Sequence, residues 1–102
     1  LKAEPLVVLP TAYRLENNYP NPFNPETNIK FSLPEAQDVK LEVFDIKGHR
    51  VRVLVNENMT AGHHSVMWNG RDKNGRMVAS GTYFYRIQAG PLNQTHRMLL
   101  VK

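Results

Sequence analysis

Cysteine is absent from this 102-residue chain. Its absence excludes disulfide bonds, thiolate metal sites and cysteine nucleophiles. Long hydrophobic runs are also missing, since the apolar stretch Leu6–Leu9 is far shorter than the roughly 20 residues of a membrane span, and too short for a signal-peptide core. We therefore expect no transmembrane segment. Because the first residue is Leu1 rather than methionine, we expect the chain to be part of a longer polypeptide.

Blocks of like charge are missing as well. The formal net charge is +4, but the lysines and arginines are spread over the whole length. A nucleic-acid module would gather them on one face among aromatic side chains, so we expect no nucleic-acid partner. The length fits one small domain that buries roughly 60–65% of its unfolded surface, which is enough for one core without metal or disulfide.

A proline-rich segment, residues 18–25, precedes the first clear strand, and we call it the proline strap. Its prolines fix their own φ angles and push the preceding residues toward extended geometry, which excludes a helix. Tyr19 and Phe23 are the apolar side chains in it, so we expect the strap to lie as a lid over a core. The residues that define it are Tyr19, Pro20, Asn21, Pro22, Phe23, Asn24 and Pro25.

Apolar and polar residues alternate in several short segments separated by turn residues. The clearest segments begin at Thr27, Val39, Val51, His64, Thr82 and Met98. We expect the first two to pair as a hairpin, and Val51, Val53 and Val55 to share one face. The pattern predicts an all-β, immunoglobulin-like sandwich of about seven antiparallel strands without a disulfide, centred on Trp68.

Catalytic and metal sites are not indicated by the sequence. His64 and Ser65 are adjacent on a predicted strand and point to opposite faces, so they cannot act as base and nucleophile. His63 and His64 are separated in the same way. We expect no enzyme, no cofactor and no transition-metal site. Asp72 and Asn74 could supply part of a calcium shell, but the other ligands of a calcium loop are missing and a turn is favoured.

Aromatic residues raise a different alternative, because carbohydrate-binding modules stack sugars on exposed aromatic rings. Most aromatics fall on predicted core faces. Phe23, Phe44 and Phe84 do not, and we expect the strap or a neighbouring strand to cover at least one of them.

Several motifs together resemble a known family. The first motif is Tyr-Pro-Asn-Pro-Phe-Asn-Pro at 19–25, and the second is a predicted strand that ends in Phe-Asp and a glycine turn at 43–48. The later motifs are Trp-Asn-Gly-Arg-Asp at 68–72, Asn-Gly at 74–75 and Ser-Gly-Thr-Tyr at 80–83. The last motif is a basic and hydrophobic terminus. In this order they resemble the type A C-terminal sorting domains of the bacterial type IX secretion system. That family is similar to the Ig-like domain of the flagellar hook-capping protein. Asn69 stands where the family usually has aspartate.

The resemblance implies a non-catalytic accessory domain of a larger secreted protein, which serves as secretion signal and cell-surface attachment domain. The implied partners are the type IX translocon, its outer-membrane shuttle protein and surface lipopolysaccharide. We expect residues 1–12 to be a linker with an edge strand, and residues 13–102 to be the sorting domain. The alternatives are a carbohydrate-binding module of a polysaccharide-degrading enzyme and a structural Ig-like module of a surface protein.

The resemblance also assigns residues to two sets. The recognition end, which we call the tail, comprises Arg97, Met98, Leu99, Leu100, Val101 and Lys102. Outside the strap, the family signature comprises Trp68, Gly70, Asp72, Gly75, Gly81 and Tyr83.

Overall fold

The computed structural model describes residues 8–102, which form seven antiparallel β-strands and no helix. One sheet has three strands in the order β1-β2-β5, and the other has four in the order β4-β3-β6-β7. The expected all-β sandwich is confirmed. The strands are β1 (Arg14–Leu15), β2 (Thr27–Leu33), β3 (Gln37–Phe44), β4 (Arg50–Met59), β5 (Gly62–Trp68), β6 (Gly81–Ala89) and β7 (Leu92–Leu100).

The expected N-terminal linker is described only in part. Residues 1–7 lie outside the described residues, and residues 8–12 contain no strand. Val8 and Leu9 are exposed. The boundary between residues 12 and 13 stays a prediction.

The core lies between the two sheets and is built from alternate residues of their strands. Trp68 is fully buried at the end of β5, as expected. Tyr83, Tyr85 and Ile87 of β6 are buried on the same side of their strand. The period-two pattern of the sequence thus identifies the faces that meet.

The expected hairpin of the first two long strands is wrong. β2 pairs with β1 and β5, whereas β3 pairs with β4 and β6 in the other sheet. The link over residues 34–36 starts with Pro34, which has no N–H for a hairpin ladder. Crossing to the other sheet instead lets Leu33 and Val39 both reach the common core, where they are buried.

The expected shared face of Val51, Val53 and Val55 is also wrong. The pairing of β3 with β4 has two register shifts, one between Leu41 and Glu42 and one between Val43 and Phe44. Each shift inserts an extra residue into β4 and reverses which side chains point inward. Val55 is buried while Val53 is 36% exposed, and Val51 and Leu54 pack against the core instead.

Candidate functional site

β7 carries most of the tail and forms an edge of the four-stranded sheet. It starts at Leu92, six positions before the predicted start at Met98, because the chain reverses over Gly90 and Pro91 and the ladder with β6 begins at once. Met98 and Leu100 point into the core and are at most 1% exposed. Arg97, Leu99, Val101 and Lys102 are exposed. The six tail residues therefore divide into buried anchors and outward side chains.

The proline strap bonds directly to the outer edge of β7. The Phe23 amide donates to the Leu99 carbonyl over 3.0 Å, and the Val101 amide donates to the Phe23 carbonyl over 2.9 Å. Asn21 adds a side-chain contact, since its Oδ1 accepts from the Leu99 amide at 3.0 Å. Residues 99–101 are thus paired on their outer side, and we call them the closed half of the β7 edge.

The outer edge is open further back along β7. Backbone groups of an edge strand alternate between the neighbouring strand and the outer edge, and the N–H and C=O of Leu99 face the outer edge. By the same alternation, Asn93, Thr95 and Arg97 present their N–H and C=O groups outward. Within residues 8–102 no partner outside the sheet is found for these groups. We call residues 93–97 the open half of the edge.

Only one of the two strap aromatics enters the core. Phe23 is 1% exposed, and its ring centroid lies 5.7 Å from that of Trp68. Tyr19 is 79% exposed, so the expectation that both rings cover the core is wrong for Tyr19. Tyr19 pairs with Asn28 through backbone bonds at the margin of the three-stranded sheet, which turns its ring to the outside. Phe23 therefore confirms the expectation that a strap or strand buries one of Phe23, Phe44 and Phe84.

Further signature residues lie around the same contact. The Trp68 indole donates from Nε1 to the Arg71 carbonyl at 2.9 Å, and the Trp68 ring centroid lies 5.4 Å from that of Tyr83. Gly70 is buried with φ +73°, and a Cβ there would lie 3.1 Å from the Pro25 carbonyl oxygen and 3.7 Å from Leu100 Cδ2. Only glycine fits this approach without strain.

The loop after Gly70 is held by Asp72, as the turn prediction expected. Its Oδ1 accepts from the amides of Asn74 at 2.9 Å and Arg76 at 3.0 Å. The bond from the Arg76 amide, and after it the bond from the Asn74 amide, favours the charged form and holds the pKa of the Asp72 carboxyl below its usual value. Gly75 follows with φ +79°. Within residues 8–102, no three His, Cys, Asp or Glu side chains gather closely enough to hold a metal ion.

Two tyrosine hydroxyls hold the segments that flank the strands. Tyr83 donates to the Ala79 carbonyl at 2.7 Å, just ahead of Gly81, where β6 begins. Tyr85 donates to the Glu16 carbonyl and accepts from the Asn18 amide, both at 2.8 Å. Burial raises the pKa of Tyr85 to about 12.

Sequence reasoning missed the contact that Asn18, the first residue of the strap, makes with a distant strand. Asn18 is buried, and its Nδ2 donates to Thr27 Oγ1 at 3.0 Å and to the Pro20 carbonyl at 3.3 Å. The backbone N–H of Asn18 donates to the hydroxyl of Tyr85, which lies 67 positions away in the chain. No local pattern links residues so far apart, so the sequence carried no signal for this contact.

Exposed aromatics do not form the row that a sugar platform needs. Among residues 8–102, Tyr19 is the one aromatic residue that is exposed. Phe44 and Phe84 are half-buried neighbours on the outer face of the four-stranded sheet, and the Arg86 guanidinium lies 4.8 Å from the Phe44 ring centroid. Because Arg86 occupies this ring face, the described residues do not favour the carbohydrate-binding alternative.

The histidines of β5 make local contacts. His63 Nδ1 lies 2.9 Å from Ser32 Oγ, and His64 Nε2 lies 2.7 Å from the Thr60 carbonyl oxygen.

The part of the chain that is described contains no helix long and apolar enough to cross a membrane.

Two packed antiparallel sheets, with chain crossings between them, define this protein as an Ig-like domain. The FlgD Ig-like domain family matches residues 17–91, and the chain belongs to that family. The match includes the strap and ends just before β7. No curated protein sequence matches the chain.

Solved structures show the same fold in larger proteins. FlgD from P. aeruginosa is 28% identical with a TM-score of 0.57, and the match covers 72% of this chain and 57% of FlgD. PorU from Porphyromonas gingivalis is 17% identical with a TM-score of 0.71, covering 92% of this chain and 10% of PorU. PorZ, an essential surface component of the type IX secretion system of that organism, is 22% identical with a TM-score of 0.56, covering 84% and 11%. At these identities, PorU and PorZ share the fold with this chain.

Proposed function

We propose that this domain is a non-catalytic type IX sorting and surface-attachment module of a larger secreted protein. The observation that carries the proposal is the position of the tail: its outward side chains stand on an edge strand that the signature strap holds in place. The family signature and the shared fold of PorU and PorZ support it. In this proposal the domain passes through the periplasm to the cell surface.

The proposed partners are the translocon and its outer-membrane shuttle, with surface lipopolysaccharide as the site of attachment. Burial of Met98, Leu100 and Phe23 argues that a receptor reads the folded domain rather than a detached tail. Releasing any one of these side chains from the core would cost about 1.5–3 kcal/mol of hydrophobic free energy. A receptor can instead contact Arg97, Leu99 and Lys102, and add a strand along the open half of the edge.

The test is export of a reporter fused between a signal peptide and this chain, in a host that has the secretion system. Deleting residues 97–102 would also remove the buried Met98 and Leu100, so loss of export could reflect unfolding. We therefore choose the exposed substitutions Arg97→Glu, Leu99→Asp and Lys102→Glu, with Lys30→Glu on the other sheet as control.

We expect the combined tail variant to remain folded in the periplasm and the control to reach the surface. Export of the folded tail variant at the wild-type level would refute recognition through these side chains. Retention of the wild-type fusion would refute a sufficient sorting signal.

A structural Ig-like module is the second candidate. It is favoured by the family match ending at residue 91, because the shared domain is then defined without the tail. Retention of the folded wild-type fusion in the periplasm would support this candidate.

A further inference from the structure

The outer face of the four-stranded sheet contains a buried carboxylate. Glu42 lies between the core residues Leu41 and Val43 and points away from the core, yet its side chain is only 3% exposed. Three cations cover it. The Glu42 carboxylate oxygens lie 3.2 Å from Arg86 Nη2, 3.3 Å from Arg50 Nη1 and 3.8 Å from Lys40 Nζ. We call Lys40, Arg50 and Arg86 the cation cluster.

The cation cluster has more positive charge than Glu42 can offset. One carboxylate against three cations leaves an excess of two positive charges at this position. The side chains of Lys40, Arg50 and Arg86 remain 40%, 55% and 39% exposed, so their donors can reach a partner. Arg86 Nε is buried and has no bond among the described residues. Because Glu42 already orders the cluster, a partner would pay less of the ordering entropy on binding.

An apolar groove of about 280 Å³ lies beside the cation cluster. Phe44, Ile46, Phe84 and Thr95 line it, and Arg86 forms the boundary with the cluster. Ile46 is 71% exposed at the tip of the turn before β4. The face therefore combines an apolar depression with fixed positive charges.

Asp45 is the acidic residue at the groove, and its carboxylate is already bonded. Its Oδ1 accepts from the amides of Lys47 and His49, both at 2.9 Å. The hydrogen bond from the His49 amide is the main reason why the pKa of the Asp45 carboxyl is lowered, and the bond from the Lys47 amide adds to it. Asp45 therefore supports the turn that presents Ile46, and among the described residues its carboxylate lies at ion-pair distance from His49 and not from the cation cluster.

We propose that this face docks a protein partner whose surface has acidic side chains around an exposed aliphatic residue. The acidic side chains would bind the cation cluster, and the aliphatic side chain would enter the groove beside Phe44 and Phe84. A polyanion such as a polysaccharide or nucleic acid would use the cations but would leave the apolar groove empty. The proposal does not depend on the sorting role of the tail.

The test is an NMR titration of the isotope-labelled 102-residue chain with three probes. The first probe is a short peptide with glutamates around a central leucine, the second has glutamine in place of glutamate, and the third is heparin. We expect the glutamate peptide to shift the amide signals of residues 42–48 and 84–86, and to bind more weakly as salt is added. The glutamine peptide should bind at least roughly tenfold more weakly.

Two substitutions at exposed positions examine each half of the face. Arg50→Glu should weaken binding of the glutamate peptide roughly tenfold, and Ile46→Ser should weaken this binding several-fold. Lys30→Glu makes the same change of charge on the other sheet and should leave binding of the peptide unchanged. Unshifted signals of the core will show that the variants are folded.

Three results would overturn the proposal. The first is equal affinity for the glutamate and glutamine peptides, and the second is the absence of saturable shifts on this face. The third is that heparin binds at the cation cluster more tightly than the peptide does, with an affinity that Ile46→Ser leaves unchanged.

Discussion

The two halves of the β7 edge have the same backbone geometry but opposite surroundings. In the closed half, Phe23 and Asn21 satisfy the outward groups of Leu99 and Val101. In the open half, residues 93–97 present the same kinds of groups without a partner outside the sheet within the described chain. The difference comes from the strap, whose Phe23 ring enters the core and brings its backbone to the edge.

This contrast separates a stabilised end of β7 from an end whose outer edge is left open. An exposed edge strand is a template for unintended pairing, and natural proteins cover or shorten such edges. Here the cover is confined to the end of the strand that carries the buried anchors Met98 and Leu100. The open half can then pair with a partner while the tail stays in the core.

The largest effect is expected from removing the anchor of the closed half. Phe23→Ala deletes a fully buried ring against Trp68, and such truncations cost about 3–5 kcal/mol of unfolding free energy. Tyr19→Ala is the matched control, because that ring is exposed and its loss should cost less than about 0.5 kcal/mol. Urea denaturation measures both. Equal stability of the two variants would show that Phe23 does not hold the strap.

A second effect comes from Tyr85, which holds the chain entering the strap. Its pKa of about 12 in the folded state is above the ordinary value near 10, so the folded state binds its proton more tightly. The stabilisation that comes from this shift is complete below about pH 10 and is lost as pH rises through about 12, with a total of at most about 3 kcal/mol. We expect Tyr85→Phe to be less stable at neutral pH but to lose less stability across this window.

Denaturation curves at a series of alkaline pH values measure the effect, with Tyr19→Phe as control. Parallel loss of stability in the wild type and in Tyr85→Phe would contradict the assignment.

The sequence predicted the parts of this structure that depend on local patterns. Alternation identified the core faces of β2, β5 and β6, and the Asp72 turn followed from its residue types. The pairing of β2 with β5 and the register shifts that turn Val53 outward depend on contacts between distant residues, which alternation does not encode. The strap could be predicted as extended, but its bonds to Leu99 and Val101 join the two ends of the chain.

A smaller effect is expected from the side-chain bond at the closed half. Asn21→Ala removes the acceptor of the Leu99 amide and should cost about 1 kcal/mol. Hydrogen exchange should then be faster at Leu99 than in the wild type, while the amides that β7 donates to β6 stay protected. Asn24→Ala is the control, since Asn24 is exposed in the same strap. Unchanged exchange at Leu99 would show that Phe23 alone closes this half.

The smallest change in stability, with the sharpest test of the open half, is expected from Thr95→Pro. The Thr95 amide points outward, so proline there removes no bond to β6, and edge strands tolerate it at a cost we expect to be below about 1 kcal/mol. His96→Pro is the contrasting variant, because the His96 amide faces β6 and its loss should be strongly destabilising. If a receptor adds a strand to residues 93–97, Thr95→Pro should block export of the fusion while the domain stays folded, and Thr95→Ala should not. Normal export of Thr95→Pro would leave the outward tail side chains, rather than the open backbone, as the basis of recognition.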